Sequence, residues 1–349
     1  MRRKRYEWKI KTGSVQLGDR TLVMGVLNVT PDSFSDGGRY QEPDRAYARA
    51  LELEDQGADL IDIGAESTRP GSARISEAEE LRRLIPVLKR LKDRMNIPIS
   101  VDTYKAGVAE RALEHGADII NDPSCLTWDP ELARVVVKYN AGLILNHMRG
   151  TPETWAKLPP LPNVVAAVIS ELQSAVHRAV RAGIETERIV IDPGLGFGKR
   201  KEQNAVLLAR LPAMAGLNMP LLVGPSRKSF LARSTHDETT YANAAAVTAA
   251  ILGGAHVVRV HEVAEMRIAA QVADAVLAGM PSDTETALPE KTQRRPLRDV
   301  PDAESAAVTR PPLRKPPSHL AGMRPPRRDP RGRDRDPRGP HRGPRGRHD

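Results

Sequence analysis

Short runs of Val, Ile and Leu recur along the chain, and between them lie longer segments in which apolar residues return every third or fourth position. Eight runs stand out: Leu22 to Val29, Leu60 to Gly64, Ile97 to Asp102, Asp118 to Asn121, Leu143 to Asn146, Ile189 to Asp192, Leu221 to Gly224 and Val257 to Val260. Near-continuous apolarity over so few residues fits parallel strands covered on both faces. The intervening spacing, as in Ala78-Leu81-Leu84-Ile85-Leu88-Leu91 or Val168-Leu172-Ala175-Val176-Ala179, has helical period. Eight strands in unbroken alternation with eight helices predict an α/β fold of the (β/α)8 TIM-barrel type. A doubly wound open sheet is the competing architecture, and the uninterrupted eightfold alternation favours closure.

Flanking residues refine this outline. Tyr6 to Ile10 and Ser14 to Leu17, on either side of Thr12-Gly13, predict a hairpin, so residues 1–20 form an N-terminal extension and 21–280 the barrel. Ser76 followed by Glu79 has capping-box spacing, and Pro43-Asp44 and Asp129-Pro130 have the composition of first helical turns. Beyond residue 280 the pattern stops. That segment holds 14 of the 29 prolines, and from Arg324 it is almost entirely Arg, Pro, Gly, Asp and His, with Asp-Pro-Arg-Gly at 329 and again at 336. Such a composition buries too little apolar surface to offset its ordering entropy, so 283–349 is expected to be a disordered Pro/Arg-rich basic tail.

The tail also explains the charge. Of the formal net +9, residues 281–349 carry 17 Lys and Arg against 10 Asp and Glu, so the barrel segment is nearly neutral. Weak binding of RNA or other polyanions by the tail is a non-enzymatic reading of this segment, and a solvating extension without a partner is the plainer one. Aromatic residues make up 3% of the chain, too few for a base-stacking surface. The single cysteine, Cys125, excludes an intrachain disulfide or a cysteine-cluster metal site and suits a reducing, cytoplasmic setting. The start Met-Arg-Arg-Lys-Arg continues into Tyr6-Glu7-Trp8-Lys9 without an apolar stretch, so no signal peptide is read, and no apolar run reaches membrane-spanning length.

Polar residues collect where the apolar runs end. Asn28 follows the first, Asp62 and Glu66 to Arg69 belong to the second, Asp102 ends the third, and Asn121 with Asp122 the fourth. His147 and Arg149 follow the fifth, Asp192 and Lys199 the sixth, Ser226, Arg227 and Lys228 the seventh, and Arg259 and His261 the eighth. A barrel gathers all of these at its C-terminal mouth, where active sites of this fold lie. Individually, Asp62 reads as a structural carboxylate capping a neighbouring loop, and Asp102, Asn121 and Asp192 serve equally as turn formers or ligands. Together with Lys228 they form a ring of donors and acceptors suited to a heterocycle with N–H and C=O edges. His115 and His256 fall at the opposite end and read as solvated or packed. The glycine-rich 194–199 segment matches neither the phosphate-binding P-loop nor GxGxxG. The 30–38 segment has the composition of a βα loop, and Phe34 within it suggests closure over a ligand.

In order and at matching strand ends, Met24 to Gly38, Glu66 to Gly71, Ser100 to Thr103, Ile120 to Asp122, Asp192 to Lys199, Ser226 to Ser229 and Arg259 to His261 resemble the dihydropteroate synthases, a pterin-binding TIM-barrel family. The resemblance runs from about residue 20 to 280. It implies a transferase of alkyl or aryl groups in folate biosynthesis, joining 6-hydroxymethyl-7,8-dihydropterin diphosphate to 4-aminobenzoate by an SN1-like route. By the same resemblance Asp102, Asn121, Asp192, Phe197, Gly224, Lys228 and Arg259 bind the pterin, with Asp102, Lys228 and Arg259 catalytic. Asn28, Arg69, Arg259 and His261 then hold the diphosphate, with Mg²⁺ on Asn28. Phe34, Thr68, Pro70, Ser226 and Lys228 form the aminobenzoate and sulfonamide site. A homodimer is also implied. Three positions depart from the family pattern: Pro123, where an aliphatic residue is usual, Asn146, where methionine is usual, and Pro225, where a small or β-branched residue is expected. A corrinoid methyltransferase acting on methyltetrahydrofolate is the alternative pterin-binding barrel, but it has no use for loops that hold an anionic leaving group.

Overall fold

The computed structural model describes residues 3–30, 42–69 and 71–280, together with backbone only at 42. Phe34, Pro70 and the tail from 281 therefore lie outside the described residues, and so does the expectation of tail disorder. The chain divides into a compact unit, Met1–Pro289, and a second, Glu290–Asp349, that falls wholly within the undescribed stretch.

Among the described residues two strands come first, and eight further strands then alternate with eight helices as the apolar pattern predicts. The strands are β1 (Tyr6–Ile10), β2 (Gly13–Leu17), β3 (Leu22–Asn28), β4 (Leu60–Gly64), β5 (Ile99–Asp102), β6 (Ile119–Asp122), β7 (Gly142–Asn146), β8 (Ile189–Asp192), β9 (Leu222–Val223) and β10 (Val257–Val260). The helices are α1 (Glu42–Asp55), α2 (Glu77–Leu91), α3 (Ala106–Glu114), α4 (Leu132–Tyr139), α5 (Val164–Arg181), α6 (Lys201–Ala209), α7 (His236–Leu252) and α8 (Val263–Gly279). β3 to β10 form one parallel sheet in the order β8-β7-β6-β5-β4-β3-β10-β9. A parallel bridge between Ile191 and Leu221 brings β8 against β9 and completes the barrel. The penultimate barrel strand is shorter than expected, two residues instead of the four from Leu221 to Gly224.

Side-chain parity divides the core into two layers. Outward residues such as Val23, Ile61, Ile63, Val101, Ile120, Leu143, Leu145 and Val258 pack with the helices. Inward residues Leu22, Met24, Leu60, Ile119, Ile144, Val190, Leu222 and Val257 fill the barrel floor. Period-2 alternation then obliges the next inward positions, Asp62, Asn121, Asn146, Asp192 and Arg259, to line the barrel nearer its C-terminal mouth.

The β1–β2 hairpin, paired from Tyr6 with Leu17 to Ile10 with Gly13, belongs to the same floor. Its Trp8 is fully buried with Ile10 and Leu17 in the inner cluster and donates its indole N–H to the Arg188 carbonyl at 2.9 Å. The hairpin thus closes the end opposite the mouth. His256 lies there as expected, accepting from Leu221 N at 3.1 Å through Nδ1 and bonded to the Lys4 carbonyl through Nε2. Half-buried His115 is bonded to its own helix, at the Arg111 carbonyl.

Two helix starts differ in detail from the sequence pattern. Ser76 accepts from Glu79 N at 3.2 Å, but the Glu79 carboxylate turns to Arg82 and Arg83, so the box is one-sided. A reciprocal capping box joins Thr235 and Glu238 at the start of α7. Asp129 Oδ1 accepts from Glu131 N at 3.1 Å in the turn just ahead of α4, which begins at Leu132. Its Oδ2 accepts from Ala106 N at 2.8 Å and ties the start of α3 to the following loop. Among the described residues no helix is long and apolar enough to cross a membrane.

Candidate active site

The polar end of the barrel interior is organised around Asp62. This side chain has no exposed surface, and its Oδ2 accepts from Arg259 Nε at 2.6 Å and from Asn121 Nδ2 at 2.9 Å. Arg259 Nη2 also reaches Asp102 Oδ2 at 3.0 Å. Asp62 is therefore no loop cap, and the expectation is corrected: one buried carboxylate sets the position of an arginine and an asparagine that arrive from strands on either side of it. Asp102, on β5, is pushed up to about 7, first by burial and then by the charges of Asp62 and Glu80, against the opposing pull of Arg259.

Across the mouth, Asp192 ends β8. Burial raises its carboxyl to about 6, although the Gly194 N–H donates to Oδ1 at 2.7 Å. The turn that follows tolerates only glycine at 194. Its φ is +66°, and a Cβ there would come within 1.8 Å of the His147 carbonyl oxygen. Gly196, with φ +82°, keeps open the path along which Lys228 passes, since a Cβ would lie 2.8 Å from the lysine Cδ. Lys228 then places Nζ 3.9 Å from the centre of the Phe197 ring, which meets Trp155 edge to face at 5.5 Å. Burial lowers the Lys228 ammonium to about 8, with Arg259 acting in the same direction. Gly224 faces Arg259, whose Cβ would lie 3.6 Å from a Cβ at 224.

A third group surrounds His261. Its Nδ1 lies 2.9 Å from Ser226 Oγ and its Nε2 3.5 Å from Asn28 Nδ2. Burial and then the positive charges of Arg227, Arg259, Lys228 and Arg69 hold its pKa down at about 2, so the ring is neutral. Two of these four cations are already ion-paired, Arg227 with Glu262 and Arg259 with Asp62 and Asp102. Glu262, which the apolar patterning does not single out, pins this corner: it bonds Arg227 at 2.8 Å and accepts from Ser226 Oγ at 3.2 Å. Its adjacency to His261 at the end of β10 is the available signal. Thr68 is half-buried and Arg69 exposed on the loop after β4.

Several strand-end polar residues do not join the ring. Lys199 donates Nζ to the carbonyls of Gly194 (2.7 Å), His147 (3.2 Å) and Phe197 (3.2 Å), fastening the glycine turn from behind, and burial lowers it to about 7. His147 pairs with Glu171 at 2.9 Å, and Arg149 donates to the carbonyls of Pro159 and Gly198. Asp122 accepts from Ser124 and Leu126 N–H groups and shapes its own turn. Lys105 joins Glu66 and Glu80, bracing the base of the loop that carries Thr68 and Arg69. No group of three or more His, Cys, Asp or Glu that could hold a metal occurs among the described residues.

The chain is thus a parallel β/α barrel whose C-terminal mouth is lined by carboxylates, an amide and basic side chains. Residues 24–261 match the family described as "Pterin binding enzyme", and the chain belongs to that family. Within it the chain is 44% identical to the dihydropteroate synthase of Synechocystis over 74% of this chain and 91% of the relative, and 42% identical to that of Bacillus subtilis over 76% and 92%. Among solved structures, the Xanthomonas albilineans dihydropteroate synthase with 4-aminobenzoic acid aligns with TM-score 0.70 at 42% identity, covering 75% of this chain and 95% of that one. The same enzyme in complex with 7,8-dihydropteroate aligns with TM-score 0.67 at 39% identity over 75% and 95%.

Proposed function

We propose that this chain is a dihydropteroate synthase, condensing 6-hydroxymethyl-7,8-dihydropterin diphosphate with 4-aminobenzoate to 7,8-dihydropteroate and diphosphate. The observation that carries the reading is the juxtaposition, inside one barrel mouth, of Asp102, Asn121 and Asp192 with the cationic side chains of Lys228 and Arg259 and, around His261, of Arg69 and Arg227. The first set complements a pterin and the second its leaving group.

In this reading Asp192 accepts from the amino-pyrimidinone N–H groups and Asn121 completes that edge. Lys228 donates to the ring carbonyl side, Phe197 and Gly224 border the ring, and the Arg259 guanidinium, held by Asp62 and Asp102, stacks on it. Asn28, Arg69, Arg259 and His261 bind the diphosphate. As it leaves, positive charge grows on the pterin methylene carbon and negative charge on the departing oxygen. Asp102 stabilises the first and the cation cluster the second. The arylamine nitrogen then attacks from a site formed by Thr68, Ser226 and Lys228, to which Phe34 and Pro70 are assigned by resemblance.

Mg²⁺ is assigned to Asn28 in this reading. Gly64 brings the backbone close to Asn28 Oδ1 and Asp102 Oδ2, both hard oxygen donors: a Cβ there would lie 3.7 Å from the first and 3.8 Å from the second. A hard cation that takes few protein oxygens and otherwise phosphate and water suits such a position. When bound there, Mg²⁺ supplies neutralisation of diphosphate charge.

A cytoplasmic location and a homodimer are part of the proposal. Ile268, Val272 and Val276, four residues apart along α8, are exposed, as is Tyr241 on the neighbouring α7, and offer apolar surface for such a dimer. The test of function is diphosphate release by the purified protein, measured by a coupled assay. It should require both pterin diphosphate and 4-aminobenzoate. Release without the arylamine at the same rate, or none with both, would refute the reading.

A further inference from the structure

Asn146 ends β7 in register with Asp192 on β8, two residues beyond the inward Ile144. Parity therefore points it into the barrel beside the carboxylate that the pterin reading assigns to the heterocycle. It is 5% exposed, and its carboxamide oxygen is sealed from solvent without a hydrogen-bond partner among the described residues. The oxygen rests against Gly194, where a Cβ would come within 2.8 Å of it.

Nearby donors are already committed. The Gly194 N–H goes to Asp192, the ammonium of Lys199 goes to three backbone carbonyls, and Asn121 Nδ2 goes to Asp62. A buried amide oxygen left unpaired is costly, and an unsatisfied group of this kind calls for a reason. A half-turn about the last side-chain torsion, which is broad and soft, exchanges oxygen and nitrogen, so the group can present either a donor or an acceptor to the barrel axis.

We infer that Asn146 is a specificity-determining residue of the heterocycle pocket, its carboxamide hydrogen-bonding the pterin edge next to that taken by Asp192. The inference rests on the pterin reading of the site. On this inference the amide oxygen that finds no partner within the protein belongs to a group whose partner is the pterin edge.

Two substitutions of opposite volume separate a hydrogen bond from a steric effect: Asn146→Leu and Asn146→Ala, each titrated calorimetrically with 7,8-dihydropteroate, with Asp192→Asn alongside. Both variants should bind about 5- to 10-fold more weakly, the loss of one neutral hydrogen bond in a dry site. The thermal midpoint of unliganded Asn146→Leu should be unchanged or raised, because an orphaned polar group has been removed, and the KM for 4-aminobenzoate should stay at the wild-type value. If either variant binds within twofold of wild type while Asp192→Asn loses binding, the assignment of Asn146 is overturned and the pterin reading stands. If Asp192→Asn also binds normally, the pterin reading fails and the inference falls with it.

Discussion

Asp62→Asn is the most direct probe of how the pocket is held together. The side chain is fully buried, and one of its oxygens serves both Arg259 Nε (2.6 Å) and Asn121 Nδ2 (2.9 Å). Deleting one partner of a buried ion pair costs about 3–5 kcal/mol. The isosteric amide keeps the shape and one acceptor, and Arg259 retains Asp102 at 3.0 Å. The expected loss is therefore nearer that of one hydrogen bond to a charged group, about 1.5–3 kcal/mol.

A second signature comes from Asp102, whose carboxyl is raised from 3.8 to about 7. Part of that rise is the charge of Asp62, and part of the opposing pull is an Arg259 guanidinium that Asp62 shares. Removing the charge at 62 acts on both in the same direction, so the Asp102 pKa should fall toward the ordinary carboxylate range.

The sign for stability follows from proton uptake. A carboxyl raised by folding favours the folded state below its unfolded pKa, and that contribution is lost as pH rises from about 4 through about 7. In Asp62→Asn this window should contract to lower pH. Urea unfolding across pH 4–8, with carboxyl ¹³C NMR assigned through Asp102→Asn, reads both effects. Wild-type stability together with an unmoved Asp102 titration would refute the organising role given to Asp62.

Asp192→Asn should abolish pterin binding while leaving the fold intact, since an amide turns an N–H toward ring N–H groups, and unchanged affinity by calorimetry would contradict the assignment. In the wild type the Asp192 carboxyl titrates near 6, and binding favours the carboxylate; pterin affinity should thus fall by up to about tenfold per pH unit below that point, so a flat profile between pH 5 and 7 would count against it. Lys199→Met leaves the carbonyls of His147, Gly194 and Phe197 without their donor, at about 1–3 kcal/mol for each group left unpaired, but also removes a buried ammonium lowered to about 7. A depressed lysine stabilises the fold above its unfolded pKa and loses that contribution as pH falls, so the deficit of the variant in denaturant melts should be larger at pH 10 than at pH 7. Truncation after Met280 should leave maximal rate unchanged, because every residue assigned to the site precedes Glu262; at low ionic strength the KM for the diphosphate substrate should rise, and the effect should vanish with salt, whereas a many-fold loss of rate at high salt with an intact circular dichroism spectrum would refute it.

The order of elements, the barrel, the N-terminal hairpin and most strand ends were legible in the sequence, because period 2 against period 3.6 is a local property that any window of residues displays. So was the clustering of chemistry: polar residues at the ends of buried parallel strands stand out against apolar runs, and their gathering at one mouth follows from parallel topology. Which of them face the axis was not legible. A strand buried on both faces is apolar at every position, so parity cannot be read until neighbours fix the register, and only then does Asp62 change from a loop cap into the carboxylate that positions Arg259 and Asn121. Lys199 and Lys228 look alike as lysines following strand ends. The turn at Gly194 wraps its carbonyls around the first, while the second crosses Gly196 to reach the Phe197 ring. Likewise the pairing of Glu262 with Arg227 and Ser226, and the seating of Trp8 against the barrel floor, join residues 35 or more positions apart. Local patterning is written residue by residue, but hydrogen-bond partners and the charges that shift a pKa are chosen by closure of the barrel, which brings together groups that no sequence window contains.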